Sequence, residues 1–156
     1  SEVKDGKRTA KREFAFAEIF PDEGLDIVLG QWPKDTLRLS TTYLCLFTSQ
    51  TAATVITSGQ TLTDITETSY TSYARQALAA ATWGPVAAGT GGRKSTYPQI
   101  TFPTVGAVGA TINGLFIGDA TPPVKAIGQA NFDDVTAVVL MTNDIIKVTP
   151  TVQLNN

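Results

Sequence analysis

Apolar and polar positions alternate along this chain in short runs broken by Gly, Pro, Asn and Asp, and one run organises the rest. Residues 37 to 48, L-R-L-S-T-T-Y-L-C-L-F-T, begin as an alternating strand with Leu37, Leu39 and Thr41 on one side and Arg38, Ser40 and Thr42 on the other. From Tyr43 to Phe47 the run is continuously apolar. Alternation fits a strand with one wet face, and an unbroken apolar run fits a strand covered on both. The pattern therefore predicts a central strand whose second half lies between two layers.

Around it the chain divides into further short elements. Phe14, Phe16 and Phe20 fall on one side of an extended segment ended by Pro21. Pro21-Asp22-Glu23-Gly24 opens a short helix with Asp22 able to cap it, and Leu25, Val28, Leu29 and Trp32 are spaced for one apolar face. Gly24 weakens that helix by up to about 1 kcal/mol, and Gly30 and Pro33 stop it. After the central strand, Ser49 to Gln60 is a Thr-rich connection holding a short strand at Thr54 to Thr57. Strands are then predicted at Leu62 to Thr66 and Tyr70 to Ala81, although the run A-L-A-A-A could equally be helical. Gly84-Pro85 makes a turn and Gly89 to Lys94 a flexible, solvated loop.

Tyr97 to Phe102 reads as a strand that Pro98 and Pro103 place at an edge. In Thr111 to Gly118, Gly114 lies between Ile112 and Phe116 and leaves room for a bulge or a neighbouring ring. Asp119 to Pro123 is a turn, Val124 to Ala130 a strand and Asn131 to Asp134 a turn. Val135 to Met141 reads as a buried strand and Thr142-Asn143-Asp144 as a tight turn. Ile145 to Leu154 is the last strand, with Pro150 marking an edge or a bulge. Regular short strands separated by turn residues predict an all-β fold: a β-sandwich or jelly-roll-like single domain over residues 14–156, with one short N-terminal helix.

Composition changes this picture in two places. About two dozen threonines stand in for charge on the surface, since only 17% of residues are charged against 42% hydrophobic. The net charge of −2 gives the chain no general attraction to nucleic acid or anionic lipid. Its distribution is uneven. Residues 1 to 13 carry Lys4, Lys7, Arg8, Lys11 and Arg12 against Glu2, Asp5 and Glu13, while Glu18 to Asp35 is acidic with Lys34 as its only base. Residues 1–13 thus form a basic arm with no regular apolar face, extended or disordered until a partner orders it.

Candidate chemistry is sparse. The chain has no histidine and a single cysteine, Cys45, so His-based metal sites, Ser-His-Asp triads and an intrachain disulfide are excluded. No cofactor and no metal is expected. The run G-T-G-G-R-K at 89 to 94 lacks the G-x-x-x-x-G-K-S/T spacing of a phosphate loop and leads into a strand instead of a helix. Asp133-Asp134 has no further acidic cluster nearby in sequence, and Asp64, Glu67, Asp119 and Asp144 show no spacing that favours glycoside hydrolysis. Five bases without interleaved aromatics are thin support for nucleic-acid binding. No apolar run reaches the roughly 18 residues needed to span a bilayer, and the first twenty residues lack a signal-peptide core, so a soluble protein made in the cytoplasm is expected, with no membrane partner.

The series P-D-E-G-L-D at 21 to 26, Y-L-C-L-F-T-S at 43 to 49, Y-A-R-Q-A-L at 73 to 78 with Trp83, Y-P-Q-I-T-F at 97 to 102, I-N-G-L-F-I-G-D-A at 112 to 120 and N-D-I-I-K-V-T-P-T-V-Q-L at 143 to 154 resembles a group of small tailed-bacteriophage virion proteins. Each motif is a strand-plus-turn pattern, and their common order is the signal. Cys45 stands where that pattern usually has glycine, and the basic arm lies outside it. The resemblance implies a β-sandwich virion component of capsid-decoration, head-fibre or tail-fibre type. Three readings follow. In the first, the chain is a non-enzymatic decoration or cement subunit, a homotrimer on the outside of a phage head, contacting the major capsid protein or another virion protein. Its arm, through Lys4, Lys7, Arg8, Lys11 and Arg12, lies along an acidic capsid surface, or else is only a solubilising tail. In the second, it is a tail or fibre module whose Tyr70, Tyr73, Trp83 and Tyr97 stack on host carbohydrate, against the simpler reading that those rings fill the core. An enzyme built on the scattered acids is the third and weakest.

Overall fold

The computed structural model describes residues 2–4, 7–9, 14–16, 22–31, 39–49, 61–106, 111–131 and 138–155. In chain order these hold β1 (Glu2–Lys4), β2 (Lys7–Thr9), β3 (Phe14–Phe16), α1 (Asp22–Gln31), β4 (Thr41–Phe47), β5 (Gln76–Ala79), β6 (Ala87–Gly89), β7 (Gly92–Thr96), β8 (Ile100–Thr101), β9 (Thr111–Ile112), β10 (Gly114–Gly118), β11 (Ala126–Asn131), β12 (Val138–Val139), β13 (Lys147–Val148) and β14 (Pro150–Asn155). The fold is all-β with one short helix. One sheet runs β11-β10-β4-β5, antiparallel throughout, and a second runs β3-β14-β7-β6 with β3 and β14 parallel. The pairs β9–β12, β8–β13 and β1–β2 are separate two-stranded ladders.

β4 is central, as its sequence pattern requires, and Leu44, Cys45, Leu46 and Phe47 are fully buried. Period-two alternation sends these four residues to two different cores. Leu44 and Leu46 lie opposite Ile117 and Leu115 of β10 and join Leu78, Phe102, Val105, Ile112, Leu140 and Val148 in the larger cluster. Cys45 and Phe47 point the other way, into a smaller cluster with Phe116 and Ala126, closed over by Leu62 and Ile65. At about 1.5–3 kcal/mol for each large apolar side chain fully buried, this strand holds much of the fold together. Gly114 does make room for a ring: a Cβ there would sit 2.4 Å from Cζ of Phe47.

Several elements depart from the sequence pattern. Leu62–Asp64 is a 3-10 turn instead of a strand, with the Asp64 carboxylate accepting from the Thr61 amide at 2.8 Å. The stretch 70 to 81 contributes only β5 and then a second 3-10 turn, Ala80–Thr82. Residues 89 to 94 are a hairpin and not a flexible loop: β6 and β7 pair from Ala87↔Lys94 to Gly89↔Gly92, and Gly91 at φ 75° closes the turn. The strand expected at Tyr97 to Phe102 is reduced to β8. Of the strand expected at Val135 to Met141, residues 135–137 lie outside the described residues; in the rest Leu140 is buried while Val139 and Met141 are exposed. Pro150 marks neither an edge nor a bulge. It is the first residue of β14, an interior strand, where a missing N–H costs nothing, and it separates β14 from β13 in a different sheet. The strand expected at Thr54 to Thr57 and the turn residues Phe132, Asp133 and Asp134 lie outside the described residues.

Candidate interaction surface

The helix reverses its expected orientation. Its buried residues are Gly24 and Ile27, while Leu25, Val28 and Leu29 are 44%, 39% and 57% exposed. The reason is close approach: a Cβ on Gly24 would meet the carbonyl oxygen of Ile127 in β11 at 2.0 Å. Glycine lets the helix lie directly on that strand, and so selects the face around residue 24 for burial over the face richer in leucine. Glu23 fixes the same contact. Its Oε1 accepts from the Ala126 amide at 2.6 Å and from the Leu62 amide at 3.0 Å, tying the helix start to β11 and to the first 3-10 turn. The outward stripe, at i, i+3, i+4 and i+7, is therefore Asp22, Leu25, Asp26 and Leu29. Beside the helix lies an apolar cavity of about 350 Å³, bounded by Val28, Trp83, Ile117, Ile127, Val152 and Leu154 among others.

A polar network closes the outer edge of β4. Pairing with β5 ends at Leu44↔Gln76, and residues 66 to 68 take over, with Thr68 N–H donating to the Leu46 carbonyl and Thr48 N–H to the Thr66 carbonyl. The Leu46 amide is taken by the Tyr73 hydroxyl at 3.1 Å, which in turn donates to Glu67 Oε1 at 2.7 Å. Arg75 grips Glu67 from the far side, Nη2 to Oε2 at 2.8 Å and Nε to Oε1 at 2.9 Å. Burial drives the Tyr73 phenol and the Cys45 thiol well above their ordinary ranges, and the nearby Glu67 carboxylate pushes both the same way. The bond to Glu67 holds the Arg75 guanidinium firmly charged. Both acidic protons are held on, and the network clasps the edge of β4. Nothing in the hydrophobic pattern pointed to it, because Glu67, Tyr73 and Arg75 are polar positions drawn together where the chain folds back along β4 between the bridge at Glu67 and the start of β5.

The aromatic residues considered for sugar stacking fill the interior. Tyr70 and Tyr97 are buried, Tyr73 stacks on Phe102 with ring centroids 6.2 Å apart, and Trp83 meets Tyr97 edge-on at 5.3 Å. Only Trp83 reaches a concave surface, at the apolar cavity. Of the basic residues in the arm, Lys4, Lys7 and Arg8 fall in the β1–β2 ladder, where Lys4 lies across from Lys7 and Val3 from Arg8. Lys11 and Arg12 lie outside the described residues. Among the described residues no group of three or more Cys, Asp or Glu is placed to hold a metal ion.

The described body is thus an all-β fold with its aromatics packed against the core and a stripe of exposed leucines and aspartates on its one helix. The family described as Podophage GP4 fiber I protein gp80 matches residues 25–150, and the chain belongs to that family. It is a tailed-phage virion structural protein of fibre type. No curated protein matches it.

Proposed function

We infer that the chain is a non-enzymatic subunit mounted on the outside of a phage particle, self-assembled and docked to a virion protein through its basic arm. The match to a fibre family over residues 25–150 carries this reading. The arm, with Lys4, Lys7, Arg8, Lys11 and Arg12, precedes the matched region, as a docking element particular to this chain would. Basic residues on an arm suit an acidic protein surface, which they find by long-range attraction and hold by ordering on contact. A second reading, a decoration or cement subunit that stabilises the outer surface of the head, draws on the nearly neutral, Thr-rich body and uses the same arm on the major capsid protein. A fibre that adsorbs to host carbohydrate is less favoured, because Tyr70 and Tyr97 are buried. Image reconstruction of intact virions distinguishes these: density projecting from the particle supports the fibre, and density lying flat over capsomers the cement. Protein lacking residues 1 to 12 should fold normally yet leave particles bare; normal occupancy by the truncated protein refutes the arm's role.

A further inference from the structure

The outward face of α1 has the make-up of a contact surface. Leu25 and Leu29 are 44% and 57% exposed on a stripe they share with Asp22 and Asp26, and Val28 joins them to the apolar cavity. Asp22 and Asp26 are exposed, and among the described residues neither has an ion-pair partner. Two unpaired carboxylates beside two exposed leucines call for a basic occupant whose long side chains can also cover apolar surface. The chain itself contains a basic segment. Residues 1 to 13 carry five bases against three acids, and the β1–β2 ladder places Lys4 at the register position across from Lys7. An isolated two-stranded ladder is marginal alone and gains most from a surface to lie on.

We propose that the α1 face of one copy receives the N-terminal arm of a second copy of this chain, with the charged ends of the arm's lysines and arginines against Asp22 and Asp26 and their aliphatic stems over Leu25 and Leu29. This rests on the reading of the arm as a docking element and names its partner within the fibre. The contact joins two different patches, so each subunit both gives and receives. Repeated around an axis it closes into a ring, which supplies a physical route to a cyclic oligomer.

The test uses the purified full chain, with no particle present, in sedimentation velocity over a concentration series at low and high salt. The wild type should self-associate, more weakly as salt rises. Reversing the arm (Lys4→Glu, Lys7→Glu, Arg8→Glu) or the helix (Asp22→Lys, Asp26→Lys) should each weaken association by about tenfold or more. An equimolar mixture of the two variants should recover association, since each variant's arm then meets an oppositely charged helix on the other. Leu25→Ser with Leu29→Ser, which alters only outward positions, should weaken association while leaving the melting curve in place. A wild type that stays monomeric, as when the arm lies on its own helix, overturns the proposal, and so do reversals without effect or a mixture that fails to pair. Self-association indifferent to the arm, alongside particle binding that still needs it, sinks this inference and leaves the docking reading standing.

Discussion

Gly24→Ala sets two physical effects against each other. In an isolated helix the change stabilises by about 1 kcal/mol, because alanine is the better helix former. Here the new Cβ falls 2.0 Å from the Ile127 carbonyl oxygen and 2.8 Å from its carbon, where ordinary contact begins at 3.4 Å, so α1 must withdraw from β11 by about 1.4 Å. Overpacking of this kind costs about 1–3 kcal/mol. Withdrawal also stretches both bonds that Glu23 accepts, from Ala126 at 2.6 Å and Leu62 at 3.0 Å. Each is a bond to a charged group, worth about 1.5–3 kcal/mol, of which part is lost. Set against the propensity gain, the net is a destabilisation of about 2–4 kcal/mol, a fall in Tm of roughly 5–15 °C for a domain of this size. Urea unfolding followed by circular dichroism reads it directly. Gly91→Ala is the control: Gly91 has φ 75° and nothing within 4 Å of an added Cβ, so only backbone strain of about 1 kcal/mol is expected. A Gly24→Ala protein as stable as the wild type, or more so, would refute the packing of α1 on β11.

The other expectations concern the clasp on β4. Tyr73→Phe removes the hydroxyl that serves both the Leu46 amide and Glu67, and should cost about 1–3 kcal/mol with little change in packing, read from the same unfolding curves. Burial raises Cys45 and Tyr73, and takes Tyr70 up to about 12, so these groups stay protonated in the folded chain after they have ionised in the unfolded one. The folded state then binds more protons, and stability should be full below about pH 8 and fall as pH rises through the ordinary thiol and phenol values, about 8.5 and 10. A melting temperature that holds steady between pH 8 and 11 would contradict this. The Cys45 thiol should likewise resist a thiol-reactive dye in the native protein and react in urea.

What was legible in the sequence was whatever one strand decides for itself. The apolar run Tyr43 to Phe47 announced a strand covered on both faces, and Leu44 with Leu46 and Cys45 with Phe47 do enter two separate cores. Gly114 left room for a bulge or a neighbouring ring, and of the two Phe47 supplies the ring. The turn at Thr142 to Asp144 was equally local, with Asn143 at φ 71°. Partners decided the rest. Leu62 to Thr66 has strand composition, yet its place along β4 is held by residues 66 to 68, so it turns as a 3-10 helix and covers the smaller core instead. Tyr73, Glu67 and Arg75 lie within nine residues of one another, yet they meet because the ladder with β5 stops at Leu44 and leaves the Leu46 amide to the Tyr73 hydroxyl, an opening set by β4 and not by residues 67 to 75 themselves.

The helix is the instructive failure. Hydrophobic spacing favours the face with three aliphatics, and energetic intuition agrees, since burying Leu25 and Leu29 would gain several kcal/mol by area alone. A helix reaches its full contact with a strand only where its own side chains permit the approach, and on α1 that place is Gly24. Distance of approach therefore outweighs apolar content: Ile27 and the Glu23 bonds on the glycine side hold the helix, and the leucines are left outside. Two leucines left on the surface between unpaired carboxylates are a cost in water, which the proposed contact with a second copy would relieve. The stripe is therefore the place where the proposed contact is tested most directly, since Leu25 and Leu29 can be changed without touching Gly24, Ile27 or the Glu23 bonds.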